Sequence, residues 1–162
     1  MPKKEKGMQK ETIQIVHLQM VKDRGVPYGN ECITSPELAV ELIKSVVGEM
    51  IGGMDRECMV VCAVDSKMKP VCIQIVGIGT VNSCLCSIPE IFKVALLSNA
   101  VNILLFHNHP SGSASPSEED IECTKKVAEA GRLLGIKVRD HIILGGSGNY
   151  YSFEENGRFL GI

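Results

Sequence analysis

One stretch constrains this chain more than any other: Val101 to Asp120, VNILLFHNHPSGSASPSEED. An apolar run from Val101 to Phe106 has the composition of a buried strand. It ends in His107, Asn108 and His109, and a loop of Pro, Ser and Gly carries the chain to Ser117. Asp120 follows where a helix pattern begins. In an extended backbone alternate side chains point the same way, so His107 and His109 can face one point. A carboxylate in the first turn of the next helix can reach that point too. Two neutral imidazoles and one carboxylate, with a fourth position left for water, are the ligand set of a catalytic zinc site. Taken singly, each residue has a bland reading: a His after a buried strand is ordinarily structural, and Asp120 alone is a helix-start carboxylate. Their joint spacing is what points to a metal.

The pattern H-x-H-P-x6-S-x2-D resembles the JAMM (MPN+) metalloprotease motif. With Asp140-His141-Ile142-Ile143-Leu144-Gly145 downstream, it is more narrowly similar to the RadC-like branch of that family. The resemblance spans roughly residues 33 to 155, judged by element order as well as motif. It implies a single three-layer α/β domain of the JAMM/MPN, cytidine-deaminase-like architecture, with a mixed sheet of about six strands flanked by three helices. It also implies Zn2+ held by His107, His109 and Asp120, and Ser117 as donor to a developing oxyanion, although Ser117 can equally cap the helix. The family's general base is a Glu at the start of the strand after the first helix. Glu57 occupies that place. Glu90, at the start of the second helix, is the competitor, and its structural role there would be to favour the helix dipole. His141 can reach the pocket as a partner behind the ligands or as an extra ligand.

Two departures from the family pattern matter. RadC-like chains often carry an N-terminal region resembling a helix-hairpin-helix DNA-binding module, and this sequence has no room for one. Where they commonly show Pro-Arg-Glu before the second helix, this chain has Ile88-Pro89-Glu90, without the Arg.

Composition narrows the remaining classes. The 162 residues suit one domain, with residues 1–11 as a flexible tail and 12–162 as the domain. Aromatics are only 4%, without Trp, so the core must come from aliphatic, Met and Cys side chains. A net charge of −2 argues against a strongly electrostatic nucleic-acid binder. The first ten residues hold four Lys against one Glu, and so short a run reads as a solvated terminus. Seven cysteines, an odd number, with no signal peptide before them, point to a reducing cytoplasm. No apolar run approaches the roughly 20 residues of a membrane span.

In chain order, Thr12–Val21 alternates loosely and reads as a strand. Ser35-Pro36-Glu37 opens a helix with Leu38, Leu42, Val46 and Met50 at helical spacing. Strands are expected over Arg56–Asp65 and Val71–Ile78, with Cys58 and Cys62 as small buried hydrophobes, since that strand spacing leaves them about 13 Å apart. Cys84-Leu85-Cys86 lacks the spacing of a zinc knuckle. Helices over Pro89–Asn99 and Ser115–Gly135 flank the histidine strand, the second using Ile121, Thr124, Val127, Ala128, Leu133 and Leu134 as apolar positions. Strands over Ile136–Leu144 and Tyr150–Phe153 complete the pattern.

The leading expectation is a zinc-dependent hydrolase acting on a peptide or isopeptide substrate. A DNA-repair-associated factor would need a basic face or a second metal site, and neither is visible, so a nucleic-acid partner is disfavoured. A non-catalytic interaction module predicts degraded ligands, and these are intact. A zinc nucleobase deaminase would need H-x-E and C-x2-C, which are absent. No membrane partner is expected, and exposed edge strands are compatible with a homodimer.

Overall fold

The computed structural model describes residues 11–29, 31–51, 55–79 and 87–158. At its centre lie two strands with no polar face. β1 (Cys58–Val64) is buried along its whole length, and β3 (Asn102–Asn108) from its second residue on. A strand apolar on both sides of its pleat needs cover on both faces, and three helices provide it. α1 (Pro36–Ile51) packs Ala39, Val40 and Ile43 against Val60, Cys62, Leu104 and Phe106. On the opposite face, α2 (Ile88–Leu97) and α3 (Glu118–Leu134) bring Ile91, Phe92 and Val127 to Met59, Val61, Ile103 and Leu105.

The sheet has five strands in the order β2-β1-β3-β4-β5, where β2 is Pro70–Ile78, β4 is Lys137–Leu144 and β5 is Tyr150–Ser152. β3 and β4 run parallel and are joined through α3, and the other pairs are antiparallel. The result is a mixed sheet between helical layers, the α/β architecture expected of a JAB/MPN fold.

Several expectations need correction. Thr12–Val21 is not a strand: it has no regular secondary structure and lies exposed, so among the described residues the sheet has five strands where about six were expected. A strand needs a partner edge for its backbone groups, and this segment pairs with none of the described strands. α1 buries Ala39, Val40, Ile43 and Val46, whereas Leu38 and Leu42 sit at the edge of that face. The apolar stripe is therefore rotated by about one residue. On α3, Leu133 and Leu134 are exposed, because the helix meets the sheet along Asp120, Thr124, Val127 and Gly131 instead. Gly131 sets that contact: a Cβ there would lie 2.5 Å from the Ile136 carbonyl oxygen and 3.3 Å from Phe92 Cζ.

Cys58 and Cys62 are buried and free, and burial pushes the Cys62 thiol up to about 12. Cys123 is disulfide-bonded. The Lys-rich start and Cys84-Leu85-Cys86 lie outside the described residues. Among the described residues no helix is long and apolar enough to cross a membrane.

Candidate metal centre

The site is built at one end of the sheet by strand register and a helix start. Ile103, Leu105 and His107 share a side of β3 by alternation, so His107 faces α3, and it is fully buried. β1 pairs antiparallel with β3, with Met59 opposite His107. Glu57, two residues before Met59, therefore arrives at the same end of the sheet. Asn108 secures it there. Its Oδ1 accepts from the Cys58 N–H at 2.9 Å, and its Nδ2 donates to the Arg56 carbonyl at 2.8 Å. These two bonds bracket Glu57.

His109 lies just past β3. Its N–H donates to the Leu144 carbonyl at 2.9 Å, and its own carbonyl accepts from Gly112 N–H at 2.9 Å. The loop then leans on the end of β4: Gly146 N–H donates to the Gly112 carbonyl at 2.8 Å. A Cβ at Gly145 would sit 2.7 Å from that same oxygen, so glycine permits the approach. Asp120 enters through the α3 capping box. Ser117 Oγ accepts from Asp120 N–H at 3.1 Å, while Ser117 N–H and Oγ–H both donate to Asp120 Oδ2 at 2.7 Å. Expected as both cap and oxyanion donor, Ser117 caps the helix and holds the Asp120 carboxylate.

Glu57, His107, His109 and Asp120 each offer one ligand atom, and these atoms all lie within 4.8 Å of one another. His107 Nε2 is 3.0 Å from His109 Nε2 and 3.1 Å from Asp120 Oδ1, and His109 Nε2 is 3.3 Å from Asp120 Oδ2. Ligands about 2.0–2.1 Å from a tetrahedral ion stand about 3.3–3.4 Å apart, so these spacings fit a divalent metal. The proton placement fits as well. His109 Nδ1 lies 2.8 Å from the Ser113 carbonyl, an obligate acceptor. That nitrogen carries a proton, and in the neutral ring Nε2 is then the lone pair.

Burial works to raise the Asp120 carboxyl, but hydrogen bonding and charge from His107, with the Ser117 donors, outweigh it and hold the group well below the usual carboxylate range. A metal ligand must be deprotonated, and this direction suits Asp120 to that role. Behind the ligands, fully buried His141 is driven well below the ordinary imidazole value, first by desolvation and then by His107. Its neighbour Asp140 is pushed up to about 6 by burial, against donors from Ser152, Glu154 and His141.

Glu90 is not brought to the cluster. It is half-exposed on α2 and pairs with Lys93 at 2.6 Å. His141 lies behind the ligands, with its Nε2 2.7 Å from His107 Nδ1. Asn108 and Thr124, which brace the backbone beside Glu57 and the ring of His141, are not singled out by the sequence. Asn108 was visible only as the polar residue between two histidines, and Thr124 was taken for an apolar helix position. Neither role can be read without knowing what lies across the sheet.

This arrangement defines a class of protein: an α/β domain with a His, His, Asp and Glu cluster at the strand ends. The chain belongs to the RadC-like JAB domain family, whose model matches residues 33–158. It is 39% identical over 130 residues to a UPF0758 protein of Caldanaerobacter subterraneus, which covers 80% of this chain and 54% of that one. It is 40% identical over 130 residues to a UPF0758 protein of Shouchella clausii, with the same coverage of 80% and 54%. A UPF0758 protein of Methanosarcina barkeri is 41% identical over 102 residues, 63% of this chain and 44% of the relative. The chain thus spans about half the length of the curated relatives it matches.

Proposed function

We propose that this chain is a zinc-dependent hydrolase of peptide or isopeptide bonds. The observation that carries this reading is the convergence of Glu57, His107, His109 and Asp120 on one point, with the His109 lone pair aimed inward. His107, His109 and Asp120 would hold the ion, because both imidazoles and the carboxylate present their donor atoms at mutual spacings of 3.0–3.3 Å. Zinc bound there would lower the pKa of water toward neutrality and polarise the substrate carbonyl.

The chain's own groups supply the remaining steps. Glu57 takes the proton of the attacking water and returns it to the leaving nitrogen. Ser117 donates its hydroxyl proton to the carbonyl oxygen as negative charge develops there. To do so it must exchange Asp120 Oδ2 for the substrate oxygen, leaving its backbone N–H to hold the carboxylate. His109 and the Ser-rich loop after it border the approach to the site.

The first test is metal content by mass spectrometry, on protein purified without added metal or a His tag, beside His109→Ala. About one zinc per chain, lost in the variant, supports the site. Absence of metal in both, even after zinc is supplied, overturns it. In a screen of fluorogenic peptides and Nε-linked isopeptides, Glu57→Gln should keep the metal and lose about 10²- to 10⁴-fold in rate. Loss of metal, or unchanged rate, removes Glu57 from the role of base.

A further inference from the structure

His107 needs its Nε2 lone pair free to serve as a ligand, and an isolated histidine side chain in water favours the proton on that very nitrogen. Something must hold the proton on Nδ1. For His109 the Ser113 carbonyl does so. For His107 the neighbour is a second imidazole, which could in principle either donate or accept.

The hydrogen bonds behind His141 settle the direction. Thr124 Oγ1 lies 2.6 Å from the Asp120 carbonyl oxygen and 2.6 Å from His141 Nδ1. A carbonyl only accepts, so the single hydroxyl proton of Thr124 goes to Asp120. The Thr124 oxygen then accepts from His141 Nδ1–H. A neutral imidazole carries one proton, so His141 Nε2 is a lone pair, and it takes the Nδ1–H of His107 across 2.7 Å. In the neutral ring His107 is left with an unprotonated Nε2 facing His109 and Asp120, so in this tautomer the Asp120 carboxylate is held by the two Ser117 donors and not by His107.

We propose that Thr124 and His141 are positioning residues forming a one-way hydrogen-bond relay. It starts at the Asp120 backbone carbonyl and ends at the His107 ring, fixing the Nδ1–H tautomer before any metal arrives. The relay ties one candidate ligand to another, and it rests on the metal-site reading for its purpose though not for its geometry. All its members are buried, so water cannot substitute for a missing link. Removing the Thr124 hydroxyl frees His141 to turn its proton toward His107. The proton of His107 is then forced onto Nε2.

The test compares Thr124→Val, which removes the hydroxyl at similar volume, with Thr124→Ser, which keeps it. In metal-free protein, 15N-resolved imidazole spectra should show His107 as the Nδ1–H tautomer in wild type and Thr124→Ser, and as Nε2–H in Thr124→Val. Zinc affinity by competition with a chelating dye should fall about 10- to 100-fold in Thr124→Val and stay near wild type in Thr124→Ser. Far-UV CD and backbone amide spectra confirm that each variant is folded. An Nε2–H tautomer in wild type, or zinc affinity of Thr124→Val within about twofold of wild type, overturns the relay. If no variant binds zinc, the hydrolase reading fails, while the tautomer measurement still decides the relay.

An independent observation points to an interface. Thr12–Val21 carries a strand-like pattern, yet Ile13 is 96% and Ile15 101% exposed, with Val16, Leu18 and Val21 also exposed. In an extended conformation Ile13 and Ile15 share one side and Val16, Leu18 and Met20 the other. Such a segment suits an edge whose two faces both continue into helix-covered core. β2 offers one: among the described residues its nine residues pair with β1 alone, and Cys72, Ile73, Ile75 and Val76 are only partly covered. β5, with three residues, is too short. We infer that residues 12–21 of one chain add as a strand to the β2 edge of a second copy, reciprocally in a two-fold dimer. Ten arm residues and nine edge residues on each copy approach the roughly 20–30 residues per side of a standard interface. Under reducing conditions, light scattering should give twice the 17.6 kDa chain mass for wild type and the monomer mass for Val16→Pro, which cannot complete a ladder. A monomeric wild type, or a dimer that survives Val16→Pro, refutes the exchange.

Discussion

Asp140 should make this protein less stable as the pH rises through 6, the reverse of what a surface aspartate does. The carboxyl is buried, only 3% exposed, beneath the β4–β5 corner. It accepts from Ser152 Oγ at 2.6 Å, from His141 N–H at 2.7 Å and from Glu154 N–H at 3.0 Å. Desolvation outweighs those donors and lifts the group from its ordinary 3.8 to about 6. The folded state therefore binds the proton more tightly than the unfolded chain does. The stabilisation is complete below about pH 4 and is lost as the pH climbs through about 6. The gap of about two pH units, at about 1.4 kcal/mol each, makes the loss about 3 kcal/mol. Asp120 has the opposite sign: its contribution is present above 3.8 and is lost only at lower pH, so it stays constant over this window. Urea unfolding of chelator-treated protein between pH 4.5 and 7.5 reads the effect, with Asp140→Asn as reference. The variant is less stable at acid pH, where Ser152 loses its acceptor, and its difference from wild type narrows as the pH rises. A difference between the two proteins that stays constant from pH 4.5 to 7.5 would refute the assignment.

Two further predictions concern packing and the alternative base. Gly131→Ala drives a methyl into the Ile136 carbonyl and should cost about 1–3 kcal/mol in urea unfolding despite the better helix propensity of alanine; equal or greater stability contradicts the close α3–β4 contact. Glu90→Gln removes only the exposed pair with Lys93 and should leave zinc affinity and peptide-bond turnover within about twofold of wild type; a rate loss like that of Glu57→Gln would make Glu90 the base.

The metal motif was legible because it is local. His107 and His109 lie on one strand end, and Asp120 is fixed by a capping box whose partner is only three residues away. The burial of β1 and β3 was likewise written in unbroken apolar runs. What could not be read was whatever depends on partners across the fold. Thr12–Val21 has strand-like composition, but composition cannot say whether an edge is available to pair with it. Leu38 and Leu42 fit a helical period as well as Ala39 and Ile43 do, and only the tilt of α1 on the sheet chooses between them. Thr124 looks apolar by position until His141, on another element, gives its hydroxyl a partner.

Asn108 is the sharpest case, because it separates the proposed base from the proposed ligands. It points away from the pair it stands between and clamps the backbone on both sides of Glu57. Asn108→Ala orphans the buried Cys58 N–H, at about 1–3 kcal/mol for a buried group left unpaired, and takes the amide donor from the Arg56 carbonyl. The histidines do not depend on that clamp: His107 is held by β3 and His141, His109 by Leu144 and Ser113, and Asp120 by Ser117. Zinc affinity should therefore stay within about threefold of wild type, while turnover falls about 10- to 100-fold as the Glu57 carboxylate loses its position. Because the damage passes through Glu57, the Glu57→Gln/Asn108→Ala double variant should be little worse than Glu57→Gln alone. Additive losses, or a zinc affinity that falls in step with turnover, would mean that Asn108 supports the histidine strand itself and that Glu57 is not the group it positions.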